Sequence, residues 1–414
     1  MSKLQPVRGT HDLLFDDAAR HRQIEATALE IAQRYGFREV ATPIFEFTDV
    51  FARTLGETSD IVTKEMYTFE TKGGESITLR PEGTAGIARA FISGGLAQQT
   101  PLKMFYRGPM FRHERPQKGR QRQFHQIGVE LIGVAGPQAD IEVIALARHI
   151  LTDLQLQGTV TLEINSLGDV ESRAVYREAL VEYLSARKSN LSVESRERLS
   201  RNPLRILDSK DTNDRKVLID APSLTDYLND HSRAFFAAVR DGLTRLDIPF
   251  VINPALVRGL DYYGHTAFEF TTDALGAQGT VLAGGRYDTL IEQMGGPPTP
   301  GIGWAAGIER LAMLLPEAGA PRRLIAAIPM GDEQDAVVQS LASTLRHAGF
   351  AVDVGYSGNV GKRMKRADKI NAAVALVVGS DEVKDESVMV RNLETGEQQV
   401  VKQVDLIQHL SFLK

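Results

Sequence analysis

Apolar and polar positions alternate most clearly between Met104 and Gly133, MFYRGPMFRHERPQKGRQRQFHQIGVELIG. Both ends are rich in aromatic and β-branched residues and the middle is polar, a pattern that predicts a hairpin. Strand side chains alternate faces, so Ile127, Val129 and Leu131 share one face while Phe124, Gln126, Gly128 and Glu130 share the other. Arg112 and Glu114 likewise point the same way. One face suits a core. The other carries a guanidinium, two carboxylates, an amide, a ring and a glycine gap. The connection from Arg115 to Gln123 is long for a hairpin and holds Arg115, Lys118, Arg120 and Arg122. The expected arrangement is a cationic tip above a polar pocket.

The pattern elsewhere predicts a helix capped by Asp16 or Asp17 and running to about Tyr35, with Ile24, Leu29 and Ile31 on its apolar side and Gly36 as its stop. The strand-like FREVATPIFEF that follows is interrupted by Pro43, which implies an edge or an irregular interface. A hairpin is expected around Lys72-Gly73-Gly74, then an apolar helix from Ala85 to Phe91. Asp140 to Leu154 has helical periodicity and Thr159 to Ile164 reads as a strand. Residues 169–253 are mostly helical and charged, an inserted module between core strands. Beyond a linker at Pro316 to Arg323, strands at 324–329, 352–354 and 373–378 alternate with helices at 333–348 and 361–371, and a hairpin turns at Glu394-Thr395-Gly396. That is a small α/β domain with a parallel sheet. The expected division is a core of 1–165 and 254–320, a helical insertion of 166–253 and a C-terminal domain of 324–414.

At 414 residues, 43% apolar and 24% charged, the chain has room for two to three ordinary globular domains. A net charge of −5 gives no bulk attraction to nucleic acid, so such contacts must come from local patches. One candidate is Gly361-Lys362-Arg363-Met364-Lys365-Arg366 with Lys369, which is either a solvated face or a phosphate-backbone contact. The lack of cysteine excludes disulfides and thiolate metal sites and favours the cytoplasm. The N-terminus lacks an apolar signal region and no apolar run approaches membrane length, so no membrane association is expected. There is no GxxxxGK[ST] loop, so phosphates are not held in P-loop fashion.

The residue types on the polar hairpin face suit a nucleoside triphosphate lying along the sheet. Arg112 can grip a phosphate, Phe124 can stack on a base and Glu114 can accept from an exocyclic amine. Glu82 and Thr84 sit before an apolar helix and can cap it; they are also the right chemistry for an ammonium. Arg258, among strand-forming apolar residues, needs an anion, an ion pair with Asp261 or the surface. Gly284-Gly285 before Arg286-Tyr287 lets backbone approach a ligand closely.

Arg112-His113-Glu114, a loop and then Phe124 resemble motif 2 of class II aminoacyl-tRNA synthetases, and the fuller FRHERPQKGRQRQFHQIGVELIG is similar to its histidyl-tRNA synthetase version. The helix and proline-broken strand near the N-terminus resemble motif 1, which builds a dimer interface, and Gly301 to Leu311 resembles motif 3. Arg258-Gly259-Leu260-Asp261-Tyr262-Tyr263 closely resembles the family's histidine signature. The resemblance implies an α+β class II catalytic domain, an antiparallel sheet flanked by helices, with a helical insertion and an α/β anticodon-binding domain. It implies a homodimeric, cytoplasmic histidine–tRNA ligase using ATP with Mg²⁺, L-histidine and tRNA(His). Catalysis falls to Arg258 and Arg112. Histidine binding falls to Glu82, Thr84, Arg112, Gln126, Glu130, Arg258, Tyr262, Tyr263 and Tyr287, with Tyr263 and Glu130 gripping the two imidazole nitrogens. ATP falls to Arg112, Glu114, Arg120, Phe124 and Arg310, and tRNA to Arg115, Gln117, Lys118, Lys362, Arg363, Lys365 and Arg366. Which groups hold the metal stays open. Two positions depart from the usual pattern: Gly264-His265-Thr266 stands where many members have Thr-Gly-Thr, and Gln121 where many have an aromatic residue. The competing readings are a regulatory paralogue serving an ATP phosphoribosyltransferase, a plain tRNA-binding module and another class II synthetase.

Overall fold

Helix α1 (Phe15–Arg34) opens the fold, followed by strands β1 (Arg38–Glu39) and β2 (Phe45–Phe47) and helix α2 (Thr48–Leu55) in the computed structural model of the protein, which describes residues 3–55, 61–209, 211–257, 262–315 and 323–413. Next come β3 (Tyr67–Glu70), β4 (Ser76–Leu79), α3 (Thr84–Ser93), β5 (Leu102–Phe111), β6 (Gln123–Ile132), α4 (Gln138–Asp153) and β7 (Thr161–Ser166). A helical stretch holds α5 (Val170–Ser185), α6 (Val193–Arg201), α7 (Thr212–Leu218) and α8 (Asp230–Arg245). The first of two compact units, Met1–Pro316, closes with β8 (Val251–Ile252), β9 (Gly264–Thr271), β10 (Thr280–Arg286), α9 (Leu290–Gln293), β11 (Gly301–Gly307) and α10 (Ile308–Leu314).

Eight strands of this unit form one sheet in the order β1-β5-β6-β11-β10-β9-β7-β8, antiparallel except at its two ends, where β1–β5 and β7–β8 are parallel. The expected hairpin is β5–β6, and the alternation separates its faces as read from the sequence. Ile127, Val129 and Leu131 enter a core shared with α1, α4, α8 and α10. Gln126, Gly128 and Glu130 face the other side. The register sets Glu130 opposite Gly303 and Gly128 opposite both Tyr106 and Ala305. Pro43 lies in the gap between β1 and β2, which belong to different sheets. The small sheet β2-β4-β3 pairs Phe45 with Leu79 and Phe47 with Ile77.

Two local expectations are corrected. Leu14, not Asp16 or Asp17, stands at the N-cap of α1 without a side-chain bond; both aspartates lie in its first turn, where they complement the helix dipole. The helical module is also shorter than 166–253. Helix α8 buries Phe235, Phe236, Val239 and Leu243 in the same core as α4, and β8 pairs with β7, so both belong to the main sheet. Helices α5 to α7 pack instead with Tyr176, Leu180, Leu184, Leu199 and Val217 in the core on the opposite face.

The second unit, Glu317–Lys414, contains β12 (Leu324–Pro329), α11 (Asp335–His347), β13 (Ala351–Val354), α12 (Val360–Lys369), β14 (Ala372–Val378), α13 (Ser380–Lys384), β15 (Ser387–Asn392), β16 (Gln398–Lys402) and α14 (Leu406–His409). Its sheet runs β13-β12-β14-β15-β16. The first three strands are parallel, as expected, and the β15–β16 hairpin extends them antiparallel, so the sheet is mixed.

Candidate active site

Where β6, β10 and β11 lie side by side, the face away from the α1–α4 core forms the floor of a cavity of about 390 Å³. Arg112, Glu114, Arg120, Phe124, Gln126, Glu82, Thr84, Tyr262, Tyr263 and Arg310 all line it. The chain segments that supply them are far apart in sequence and meet because β11 pairs with β6. Arg112 Nε donates to Pro81 O (2.9 Å), which fixes its guanidinium 5.2 Å from the Phe124 ring centre. Glu114 pairs with Arg120 (3.1 Å) and lies 4.0 Å from Arg112. Arg310 Nε donates to Gly119 O (3.1 Å) and its Nη1 to Thr280 O (2.6 Å), so the motif-3 helix holds the tip of the β5–β6 connection. Burial, with Arg120 and Arg112 nearby, lowers the Arg310 pKa. Three guanidinium groups around one cavity repel one another, and an anion relieves that cost.

Below this cationic rim lies a buried acidic floor. Glu130 is fully buried; Thr84 Oγ1 donates to its Oε1 (2.7 Å) and the Tyr287 hydroxyl to its Oε2. Burial is the main reason its carboxyl is pushed up to about 8; the two hydroxyls oppose that shift and the charge of Glu82 adds to it. Glu82 accepts from the amides of Thr84 (2.6 Å) and Ala85 (2.8 Å) at the start of α3, yet burial still raises its pKa. The helix-capping reading of Glu82 is therefore realised, and the same carboxylate also lines the cavity. Two close approaches make the floor. A Cβ on Gly303 would lie 1.8 Å from Glu130 Oε2, and one on Gly128 would lie 2.3 Å from the Tyr106 ring. Glu114 Oε2 is buried against the Arg120 guanidinium, and among the described residues Gln126 Oε1 is buried at this cavity without a hydrogen-bond partner.

Several site residues stand differently from the sequence reading. Arg258 lies outside the described residues. Glu130 and Tyr287 lie beneath the cavity rather than among the residues lining it. Arg115, Gln117 and Lys118 are exposed on the β5–β6 connection. In the C-terminal unit, Lys362 and Lys365 are exposed, but Arg363 is only 4% exposed and donates to Pro329 O. Arg363 therefore leaves the expected basic surface: it shares the inward face of α12 with Ala367, one helical turn on. Arg366 is held by both carboxylate oxygens of Asp353 (3.0 and 2.9 Å).

The sequence reading passed over Glu269, Glu309 and Tyr106. Glu269 and Glu309 line the cavity. Glu309 accepts from the His125 backbone amide (2.9 Å) and pairs with its ring Nδ1 (2.9 Å), joining α10 to β6. The Tyr106 signal was present as a glycine on a strand, since Gly128 leaves the room its ring fills. Also missed was the fully buried Arg286, whose Nε donates to Asp140 Oδ2 (3.1 Å) and which also pairs with Asp288 (3.0 Å). It faces the α4 side, so the arginine of the double-glycine segment is structural and only its neighbour Tyr287 reaches the floor.

Known proteins carry the same organisation. The family model described as histidyl-tRNA synthetase matches residues 9–311, and the model for the anticodon binding domain matches residues 325–413. A histidine–tRNA ligase of Rhodospirillum rubrum is 64% identical over 403 residues, covering 97% of both chains, and one of Gluconobacter oxydans is 57% identical over 99% of both. The apo crystal structure of Staphylococcus aureus histidyl-tRNA synthetase superposes with a TM-score of 0.83 at 38% identity, over the whole of both chains. With the family model covering most of the cavity-bearing unit and relatives this similar along nearly the full length, the chain belongs to the histidyl-tRNA synthetase family.

Proposed function

We propose that this protein is a histidine–tRNA ligase: it activates L-histidine with ATP to histidyl-adenylate and pyrophosphate, then transfers the histidyl group to the 3′ end of tRNA(His). The observation that carries this reading is the meeting of Arg112, Arg120 and Arg310 at one cavity above the buried Glu130. In the first step a carboxylate oxygen of histidine attacks the α-phosphorus and pyrophosphate leaves. Charge builds on phosphate oxygens, so positioned cations supply most of the stabilisation. Arg112, set by Pro81 O and stacked near Phe124, suits the α-phosphate and the ring of the base. Arg310 and Arg120 suit the outer phosphates. Glu114 accepts from the adenine amine. By its resemblance, Arg258 joins Arg112 on the α-phosphate and the substrate carboxylate.

Glu82 and Thr84 receive the substrate ammonium. Tyr263 donates to one imidazole nitrogen and Glu130 accepts from the other, with Gln126 and Tyr262 closing the pocket and Tyr287 orienting Glu130 from below. Mg²⁺ neutralises the triphosphate when bound. Glu269 is a hard oxygen donor at the cavity wall that would suit it. Arg115, Gln117 and Lys118 meet the acceptor end of the tRNA, and Lys362, Lys365 and Arg366 meet its phosphates at the other end.

We infer a homodimer as well. On the small sheet, Phe45, Phe47 and Phe69 are each about half exposed in register with Ile77 and Leu79, an apolar face that a second copy would cover. The protein functions in the cytoplasm on this reading, in keeping with a cysteine-free chain in which no described helix is long and apolar enough to cross a membrane. The decisive test is ATP–pyrophosphate exchange across all amino acids. Exchange driven by histidine alone is expected; exchange with another amino acid and none with histidine refutes the substrate. Arg258→Ala is expected to abolish exchange while the protein stays folded, and near wild-type exchange removes Arg258 from the reaction.

A further inference from the structure

We infer that His21, His125 and Glu309 form a binding site for a divalent transition metal of the zinc class, separate from any Mg²⁺ carried by the triphosphate. The ion would tie helices α1 and α10 to strand β6. The inference does not depend on the ligase reading.

His21 breaks the pattern of its own helix. On α1 it shares the inward face with Ile24 and Ala28, and it is only 7% exposed. A polar group placed where a core takes apolar residues needs a partner. Among the described residues its ring nitrogens have no hydrogen bond or ion pair. Its ring meets that of His125 edge to face, with centres 5.4 Å apart and planes at 82°. His125 lies on β6 between Phe124 and Gln126, which both line the cavity, so alternation turns it to the opposite face of the sheet, toward α1 and α10. Glu309 sits in the first turn of α10. One nitrogen from each imidazole and one oxygen of the carboxylate all lie within 4.8 Å of one another.

The donor set selects the metal. Imidazole suits zinc, copper, nickel and iron, whereas Mg²⁺ and Ca²⁺ take oxygen. With bonds of about 2.0–2.1 Å, a tetrahedral zinc ion sets its ligands roughly 3.3 Å apart. The contact of His125 Nδ1 with Glu309 Oε1 is 2.9 Å and the group spans 4.8 Å at most, so the shifts asked of the side chains are at most about 1.5 Å. Glu309 is already oriented: both its oxygens accept from the His125 backbone amide (2.9 and 3.0 Å), the kind of outer hydrogen bond that fixes a ligating carboxylate. Glu25, one turn along α1 from His21, is taken by Arg107 (3.0 Å), so water fills the fourth position. Phe124 and Gln126 flank His125 and Arg310 follows Glu309, so an ion here would clamp the backbone that presents three residues of the cavity.

The test is calorimetric titration of Zn²⁺ into the full chain in excess Mg²⁺, which saturates sites built of oxygen alone. One zinc ion per chain is expected, and its X-ray absorption spectrum should show ligands at about 2.0–2.1 Å that include two imidazoles. His21→Phe keeps a ring in the core and deletes one ligand. It should weaken binding by more than about 100-fold, since loss of even an outer partner costs about 10- to 100-fold. Glu309→Gln keeps the shape and should weaken binding likewise. His231→Phe removes an imidazole from the pair with His265 and should bind zinc as wild type does. Zinc should raise the thermal midpoint of wild type and of His231→Phe, but not of the two ligand variants. The inference is overturned if no zinc binds in excess Mg²⁺, if the spectrum shows no imidazole, if His231→Phe loses the ion, or if either ligand variant, folded, binds zinc as tightly as wild type. These measurements use neither histidine nor ATP, so their failure leaves the ligase reading untouched.

Discussion

Replacing Glu130 with glutamine separates charge from shape at the floor of the site. Its carboxyl, buried and beside Glu82, is pushed up to about 8 in the ligand-free protein. At pH 7 it is therefore protonated by roughly ten to one, since one pKa unit corresponds to about 1.4 kcal/mol. Accepting an imidazole N–H as a carboxylate requires that proton to leave. The direction follows: histidine binds more tightly as pH rises, by roughly tenfold per unit below about 8, and the gain levels off above it. The free histidine ring, titrating near 6.5, sets the useful lower limit at about pH 7. Thr84, Tyr106, Tyr262 and Tyr287 also face this carboxyl, but burial holds the Tyr106, Tyr262 and Tyr287 hydroxyls well above their ordinary pKa, so they stay protonated throughout.

Glu130→Gln deletes the titrating group. The Thr84 and Tyr287 hydroxyls can rotate to meet an amide, so the fold is expected to survive. A charge-assisted hydrogen bond to the substrate is lost, about 1.5–3 kcal/mol, or roughly 10- to 150-fold in affinity. The assay is the histidine KM in ATP–pyrophosphate exchange from pH 7 to 8.5. The wild-type KM should fall across this range and the variant KM should be high and flat. A flat wild-type profile, or a variant with the wild-type slope, refutes the reasoning. The same shift has a sign for stability. Between about 4.5 and about 8 the folded protein holds a proton that the unfolded chain releases, so the contribution of this group declines as pH rises through that window, and the variant should lack the decline.

Arg286→Met leaves Asp140 buried without its cation and should destabilise the first unit by about 3–5 kcal/mol, read from urea denaturation; a loss under about 1 kcal/mol means the pair is dispensable. Gly303→Ala brings a methyl group to within 1.8 Å of Glu130 Oε2 and 2.3 Å of Val129 O, so the histidine KM should rise more than tenfold with a smaller change in the ATP KM, and an unchanged histidine KM disproves the close packing. Arg363→Ala removes a buried donor from Pro329 O and should lower the stability of the C-terminal unit by about 1–3 kcal/mol, where Lys365→Ala should leave it unchanged; equal stability of both variants contradicts the burial of Arg363.

Much of the polar face was legible because strand alternation is a local rule. Once Ile127, Val129 and Leu131 were assigned inward, Gln126, Gly128 and Glu130 had to share the other face, and they do. The helical module was legible in kind but not in extent, because Phe235 and Val239 on α8 have the same periodicity whichever core they join. Arg363 was misjudged because a run of cations hides helical phase, and only packing against β12 turns one of them inward.

The sequence by itself determined the elements, the two-sided hairpin, the start of the C-terminal α/β unit and the residue types able to handle a triphosphate and an imidazole. These follow from periodicities of two and 3.6 residues and from side-chain chemistry, which act over a few neighbours. The pairing of β6 with β11, the Tyr106 ring filling the space at Gly128, the descent of Glu130 and Tyr287 below the cavity and the split between α7 and α8 were decided only by the tertiary structure. Each depends on which distant backbone lies within hydrogen-bonding or van der Waals reach. The raised pKa of Glu130 belongs with them, because desolvation is a property of everything packed around a carboxyl and not of the carboxyl's place in the chain.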